Sequence, residues 1–183
     1  MEQKSYKLTE PHIRNDKIFI TSIMDVGLML MNKKLATFSV KRILVAVDGS
    51  TYSNKAVALA VELAKKWNPK IYVIHVLEES NVPMEFVEFA KDEGISVLDY
   101  FGRVCSQIIS AAEAVFKEAG IKKVETICPS GNPADEIIKA AEKKKVDLII
   151  MGNRGKGGFS KAIMGGVSNK VCNHANSTCI TVK

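Results

Sequence analysis

The stretch from Met151 to Ser168 contains the residues whose types and spacing are best suited to chemistry. It follows an apolar run of strand length, leads into a segment of helical period, and contains glycines and basic residues: Gly152, Gly155, Gly165, Gly166, Arg154, Lys156 and Lys161. Glycine lets a backbone approach a ligand without interference from a Cβ atom, and amides at the start of a helix can bind an anion. The pattern therefore predicts an anion site. It matches neither a Walker A loop nor a G-x-G-x-x-G motif, and a plain strand-to-helix connection is the alternative.

Asp48 closes the first apolar run of the alternating region, in the order Val47-Asp-Gly-Ser-Thr51. Open α/β sheets bind ligands at the carboxyl ends of their strands, where this carboxylate would lie. The alternative is that Asp48 or Ser50 simply begins the following helix. If the glycine-rich stretch lies beside Asp48, a carboxylate near ribose hydroxyls and amides near phosphates predict a nucleotide cleft.

An alternation of strands and helices, starting at Ile43, must position these residues. Five apolar runs of strand length alternate with segments of helical period, and four of the five are almost continuously apolar, which indicates strands covered on both faces. The predicted fold class is α/β, with a five-stranded parallel sheet, right-handed crossovers and helices on both faces. The predicted strands span residues 43–47, 71–77, 124–128, 146–151 and 179–182.

Residues 41–183 resemble the universal stress protein family. The residues that carry the resemblance are Gly152, Gly155 and Gly165 in the family's G-x2-G-x9-G-[ST] spacing, Val-Asp-Gly-Ser from Val47, His75-Val76, and Gly131-Asn-Pro. The resemblance implies the strand order 3-2-1-4-5, an adenine nucleotide bound across strands one and four, and homodimers formed through the last strand. Residues 1–40 show no strand-helix alternation and are interpreted as an N-terminal extension to a domain spanning residues 41–183.

Carried over residue by residue, the resemblance implies three groups of ATP-binding positions. One group borders adenine and ribose, one flanks the base, and one lies under the nucleoside and holds the phosphates. The positions are Ala46, Val47 and Asp48; Val76; and Met151, Gly152, Arg154, Gly155, Gly165, Gly166, Val167 and Ser168. The sequence departs from the family pattern at Gly166, where the family has Ser or Thr, so a hydroxyl that can reach the terminal phosphate is missing.

The predicted function is that of an ATP-binding stress-response protein, which senses or sequesters adenine nucleotide. No general base or activated nucleophile is recognisable, so catalysis is expected to be at most slow hydrolysis of ATP carrying Mg²⁺ or Mn²⁺. Two alternatives stay open. One is a nucleotide-independent, dimeric interaction module of the same family, and the other is an enzyme that activates a substrate as its adenylate.

Composition and charge weigh against nucleic-acid and membrane partners. The net charge of +6 over 183 residues comes from the two ends of the chain, because residues 43–130 carry −3. With one Trp and few other aromatics, a base-stacking surface has little support. The apolar stretch from Ile18 to Met31 is interrupted by Asp25 and is too short to span a membrane. Four cysteines without a C-x-x-C pair are expected to be reduced thiols in a cytoplasmic protein.

Two further features carry weaker predictions. His75 sits in an apolar strand, and a role in the core or in lining the cleft is favoured over catalysis because no Ser or Cys nucleophile is placed to use it. Residues 78–99 hold seven acidic residues against one Lys, which predicts an exposed insertion after the second strand.

Overall fold

The computed structural model describes residues 13–14, 17–18, 39–78, 84–94, 96–155 and 164–183. The chain divides into two compact units, Met1–Ser39 and Val40–Lys183, which are described separately. In the first unit, strand β1 (Ile13–Arg14) pairs antiparallel with strand β2 (Lys17–Ile18). Most of the predicted extension lies outside the described residues, and the predicted domain boundary stays a prediction.

The second unit is built on a five-stranded, fully parallel sheet in the order β5-β4-β3-β6-β7. Its strands are β3 (Arg42–Ala46), β4 (Lys70–Ile74), β5 (Val124–Ile127), β6 (Leu148–Gly152) and β7 (Thr178–Val182). Its helices are α1 (Thr51–Trp67), α2 (Met84–Asp92), α3 (Val97–Glu118), α4 (Pro133–Lys143) and α5 (Gly166–His174). Counted within this unit, the strand order is 3-2-1-4-5, which confirms both the predicted fold class and the order implied by the resemblance.

Strand β3 lies at the centre of the sheet, with apolar layers on both of its faces. Side chains alternate along a strand, so Val45 packs in one layer with α1 and α3, including the fully buried Phe116. Leu44 packs in the opposite layer with α4 and α5, including the fully buried Val171. Burial on both faces explains why this strand is continuously apolar in the sequence.

The polar residues that flank the helices fix where α1 and α4 begin. The Ser50 hydroxyl accepts a hydrogen bond from the Ser53 amide at 3.1 Å, so Ser50 caps α1. This agrees with the alternative interpretation in which Asp48 or Ser50 begins the helix. The Asn132 side chain caps α4 in the same way, and Pro133 occupies the first helical position. The chain therefore enters both helices directly from the carboxyl end of the sheet.

The segment after β4 differs in detail from its prediction. Strand β4 ends at Ile74 rather than at residue 77, and beyond it Leu77 forms an isolated parallel bridge with Ser130. The acidic segment 78–99 contains helix α2, which the charge pattern did not predict. Phe89 in this helix is 54% exposed, in keeping with the prediction of an exposed segment.

Two expectations drawn from composition can be compared with the structure. The expectation of reduced cysteines is wrong for one pair, because Cys105 and Cys128 are joined by a disulfide with their Cα atoms 6.7 Å apart. Spacing along the sequence gave no sign of this pair, since 23 residues separate the two cysteines and only the packing of α3 beside β5 brings them together. Within the described part of the chain, none of the helices is long and apolar enough to cross a membrane.

Candidate functional site

The candidate site lies at the carboxyl ends of β3 and β6, two neighbouring strands at the centre of the sheet. From β3 the chain first builds one half of the sheet through β4 and β5, and it then returns to β3's other side to add β6 and β7. Such a change of direction leaves a crevice between the two loops that follow the central strands. The sequence places Asp48 after β3 and Gly155 after β6, so both predicted loops open into this crevice.

The structure brings Asp48 and Gly155 into direct proximity. A Cβ atom added to Gly155 would lie 2.7 Å from Oδ2 of Asp48, closer than two such atoms can approach. The other carboxylate oxygen, Oδ1, accepts a hydrogen bond from the Ser50 amide at 2.9 Å. Asp48 therefore orders the turn into α1 and also borders the glycine-rich loop, so the two roles weighed for it are compatible.

Gly152 is required by packing of the protein against itself. A Cβ atom here would lie 2.7 Å from Cβ of Tyr52 and 2.9 Å from the Tyr52 carbonyl carbon. Strand β6 thus ends against the first turn of α1, which only a residue without a side chain permits. This close approach sets the direction in which the loop leaves the sheet.

The base of the glycine-rich loop is closed by hydrogen bonds to one backbone carbonyl, that of Asn153. The Gly165 amide donates to it at 2.8 Å, and the Ser168 hydroxyl lies 3.0 Å from it and 3.0 Å from the Gly165 carbonyl oxygen. The Asn153 amide in turn donates to the Val182 carbonyl oxygen at the end of β7. The hydroxyl of the buried Ser168 is therefore used within the protein. Its backbone amide belongs to the first turn of α5.

The N-terminus of α5 follows the glycine-rich stretch in the sequence. Gly165 is the N-cap residue, and within the described residues no side chain caps this end of the helix. A Cβ atom added to Gly166 would meet no atom within 4 Å, and Val167 is 40% exposed. The amides of Gly166, Val167 and Ser168 precede the first intrahelical hydrogen bond, which the Asn169 amide donates to Gly165. A helix end of this kind attracts anions through its amides and its dipole.

The remaining predicted positions line the central strands. Ala46 lies opposite Met151 in the β3–β6 register, and Met151 is buried, whereas Val76 is half-buried against the same apolar layer. Arg154 is half-buried after β6. The predicted contributions of Lys156 and Lys161 lie outside the described residues.

His75 holds the ends of β3 and β4 together. Its Nδ1 lies 2.8 Å from the Val47 carbonyl oxygen, which can only accept, so Nδ1 carries the proton of this hydrogen bond. The Val47 amide donates in turn to the Ile74 carbonyl oxygen at 2.9 Å. His75 thus fixes the backbone immediately before Asp48, in agreement with the predicted cleft-lining role.

Comparison with known proteins identifies the family. The model of the family described as "Universal stress protein family" matches residues 39–183. The chain belongs to the universal stress protein family. The universal stress protein MJ0531 of Methanocaldococcus jannaschii is 32% identical over 151 residues, which cover 78% of this chain and 82% of that protein. The family resemblance carried by the glycine spacing is therefore confirmed.

Solved structures of universal stress proteins share the fold of this one. The structure of the hypothetical protein MJ0577 is 27% identical, with a TM-score of 0.63 over 79% of this chain and 96% of that one. A universal stress protein in complex with cAMP has a TM-score of 0.56 at 22% identity over 79% of this chain and 97% of its own. The universal stress protein of Archaeoglobus fulgidus in complex with dAMP has a TM-score of 0.54 at 21% identity, over 80% of this chain and all of its own.

Sequence reasoning missed three features of this universal stress protein's site. Tyr52 carried no signal, because its role is to present backbone and Cβ to Gly152. Asn153 carried none either, since its contribution is its backbone carbonyl, while its side-chain oxygen is buried without a hydrogen-bond partner among the described residues. The inward direction of the Ser168 hydroxyl depends on how the loop closes, which the sequence alone does not specify.

Gly152→Ala is expected to lower the free energy of unfolding by about 1–3 kcal/mol, because the new methyl group must displace the backbone of α1 at Tyr52. Gly166→Ala is the matched control, since its Cβ atom meets open space, and it should change the free energy by less than about 1 kcal/mol. Urea denaturation measures both. Equal stability of the two variants would show that β6 does not end against Tyr52.

Proposed function

We propose that this universal stress protein binds an adenine nucleotide, ATP in particular, in the crevice between β3 and β6. The observation that carries the proposal is the proximity of the Asp48 carboxylate to Gly155 in this crevice. The hydrogen bond from the Gly165 amide to the Asn153 carbonyl holds the start of α5 next to the end of β6. A carboxylate suits ribose hydroxyls, whereas amides at a helix N-terminus suit phosphates. The complexes of two proteins of the same fold with cAMP and dAMP support adenine as the base.

In the proposed complex, the nucleotide lies along the sheet edge from β4 to α5. Ala46, Val47 and Val76 border the base, and Asp48 accepts hydrogen bonds from the ribose. Met151 and Gly152 lie under the nucleoside, while Gly155 lets the backbone approach the phosphates. The amides of Gly166, Val167 and Ser168 and the charge of Arg154 hold the phosphates, and Gly165 is the N-cap residue that precedes these amides.

A divalent ion, Mg²⁺ or Mn²⁺, enters this site together with the nucleotide. Phosphate oxygens and one or two carboxylates are the usual ligands of Mg²⁺, which keeps several of its waters. Asp48 is the carboxylate that follows β3, and the described residues contain no cluster of three or more metal-binding side chains. The nucleotide therefore supplies most of the metal's ligands, and any hydrolysis of ATP at this site is slow.

The proposed biological role is to sense or sequester adenine nucleotide in a stress response in the cytoplasm. A second candidate is a nucleotide-independent dimeric module, which is supported by the place of β7 at the edge of the sheet among the described strands. An intact dimer without measurable affinity for ATP, ADP, AMP or cAMP would favour this second function.

Gly155→Val is expected to abolish detectable ATP binding, because a branched side chain would occupy the space between the loop and Asp48. Gly102→Val in α3 is the matched control, since an added Cβ atom there meets nothing within 4 Å and the position lies in neither of the two segments that border the crevice. Titration calorimetry measures ATP affinity, and urea denaturation checks that the sheet is intact. Equal ATP affinity for Gly155→Val and the parent would contradict the site assignment.

Gly166→Ser is expected to tighten ATP binding roughly tenfold to a hundredfold, the effect of about 1.5–3 kcal/mol for a hydrogen bond to a charged oxygen. The added side chain has room, because no atom lies within 4 Å of its Cβ position. AMP affinity should change little, since AMP places no phosphate at this position. A parallel gain for AMP and ATP, or no gain for either, would show that residue 166 does not face the terminal phosphate.

A homodimer that pairs the β7 strands of two protomers is expected at micromolar concentration. The residues of β7 that bond to β6 include Thr178, whose amide donates to Asp147, so the amide of Thr181 faces the opposite, outer side. Thr181→Pro removes one donor from that outer side and should give a monomer of unchanged helix content. Light scattering and circular dichroism measure the outcome. A monomeric parent protein, or a dimeric Thr181→Pro variant, would argue against an interface at this edge.

A further inference from the structure

Cys172 and Cys179 bring two thiols together at the end of the chain. Cys172 lies in α5 and Cys179 in the edge strand β7, and both residues are half-buried. Cys179 packs against the apolar layer that contains Val171 of α5, so its side chain faces the helix that carries Cys172. Neither cysteine belongs to the proposed nucleotide site, so the chemistry of this pair does not depend on the proposed function.

The proton of Cys179 has two acceptors within reach. Its sulfur lies 3.6 Å from the Ser177 carbonyl oxygen, to which it can donate, and it can donate instead to a Cys172 thiolate. This hydrogen bond lowers the pKa of the Cys172 thiol from 9.0 to about 7, although partial burial opposes the change. A substantial fraction of Cys172 is therefore thiolate at neutral pH, and the thiolate is the nucleophilic form of cysteine.

We propose that Cys172 and Cys179 form a thiol-oxidation site, whose substrate is a hydroperoxide and whose product is a reversible disulfide between them. The Cys172 thiolate attacks one peroxide oxygen, the O–O bond breaks, and the departing oxygen takes a proton to leave as water or an alcohol. The Cys179 sulfur then attacks the resulting sulfenic acid, the S–O bond breaks, and a water leaves. In total, the two thiols lose two electrons and two protons, and the peroxide gains them.

The positions of the two side chains favour closure of this bond. A disulfide requires its two cysteines to lie in adjoining elements, and α5 packs against β7. The neighbouring Val171 is fully buried and holds α5 against the sheet, and Cys179 lies opposite Ile149 in the β6–β7 register. Both backbones are thus fixed, while each sulfur stays partly accessible to a small oxidant.

Cys105 and Cys128 form the internal comparison. They are joined in the structure, whereas Cys172 and Cys179 are free thiols, so the two pairs differ in state within one molecule. Because Cys105 and Cys128 are already joined, that pair holds no thiol for a peroxide to oxidise. Oxidation by peroxide is therefore expected at the second pair.

Tryptic digestion separates the two pairs, because Lys170 and Lys183 bound a single peptide, residues 171–183, that contains both Cys172 and Cys179. The full chain is treated with hydrogen peroxide, remaining thiols are blocked with iodoacetamide, and the protein is digested and analysed by mass spectrometry. The expected result is an unalkylated 171–183 peptide lighter than its dithiol form by two hydrogen atoms. Dithiothreitol given before the block should restore the doubly alkylated peptide.

Single variants show whether the partner thiol is needed. Cys179→Ser should stop oxidation of Cys172 at the sulfenic acid or lead it to higher oxides, and Cys172→Ser should leave Cys179 largely unoxidised. In the parent, a 171–183 peptide that stays fully alkylated, or that is found linked to a peptide containing Cys105 or Cys128, would overturn the proposal.

The rate of alkylation of Cys172 should rise with pH through a midpoint near 7, because only the thiolate reacts. Removal of the hydrogen-bond donor in Cys179→Ala should move this midpoint upward, toward that of an ordinary cysteine. The alkylated fraction of peptide 171–183 over a pH series gives both curves. Coincident curves for the parent and Cys179→Ala would show that the two thiols do not interact and would also overturn the proposal.

Discussion

The close approach of the β6 carboxyl end to the start of α1 is the constraint on which the site depends. Gly152 packs against the Cβ atom and backbone of Tyr52, and Gly155 lies beside the Asp48 carboxylate. A Cβ atom at Gly152 would meet the backbone of α1, whereas one at Gly155 would displace the Asp48 side chain. Both contacts involve the segment from Asp48 to Tyr52. This segment therefore determines the path of residues 152–155.

The other end of that loop is held by a different part of the fold. The Asn153 carbonyl accepts from the Gly165 amide and from the Ser168 hydroxyl, and the Asn153 amide is bonded to the end of β7. The last strand, the loop base and the first turn of α5 consequently form one hydrogen-bonded unit. Within the part of the chain that the structure describes, no side chain caps the start of α5, whose amides suit an anion.

Much of this could be predicted, and the reason differs between the fold and the site. Continuous burial makes a strand such as β3 apolar throughout, so its sequence identifies both the strand and its central position. The glycine spacing and Asp48 identified the two loops, because their need for small or acidic residues is visible in the residue type. Tyr52, the Asn153 carbonyl and the Cys105–Cys128 disulfide were not predictable, since each acts through backbone atoms or through a long-range contact. Helix α2 was also missed, because the acidic charge of its segment conceals its helical period.

The measurement that tests the central claim most directly is an amide NMR titration of the full chain with ATP and Mg²⁺. The account predicts that the largest chemical-shift changes fall on Asp48, Gly155 and the amides of Gly166 to Ser168, and that AMP affects the α5 amides less than ATP does. Changes confined to residues remote from the β3–β6 crevice, or no changes at millimolar ATP, would contradict a nucleotide site at this place in the fold.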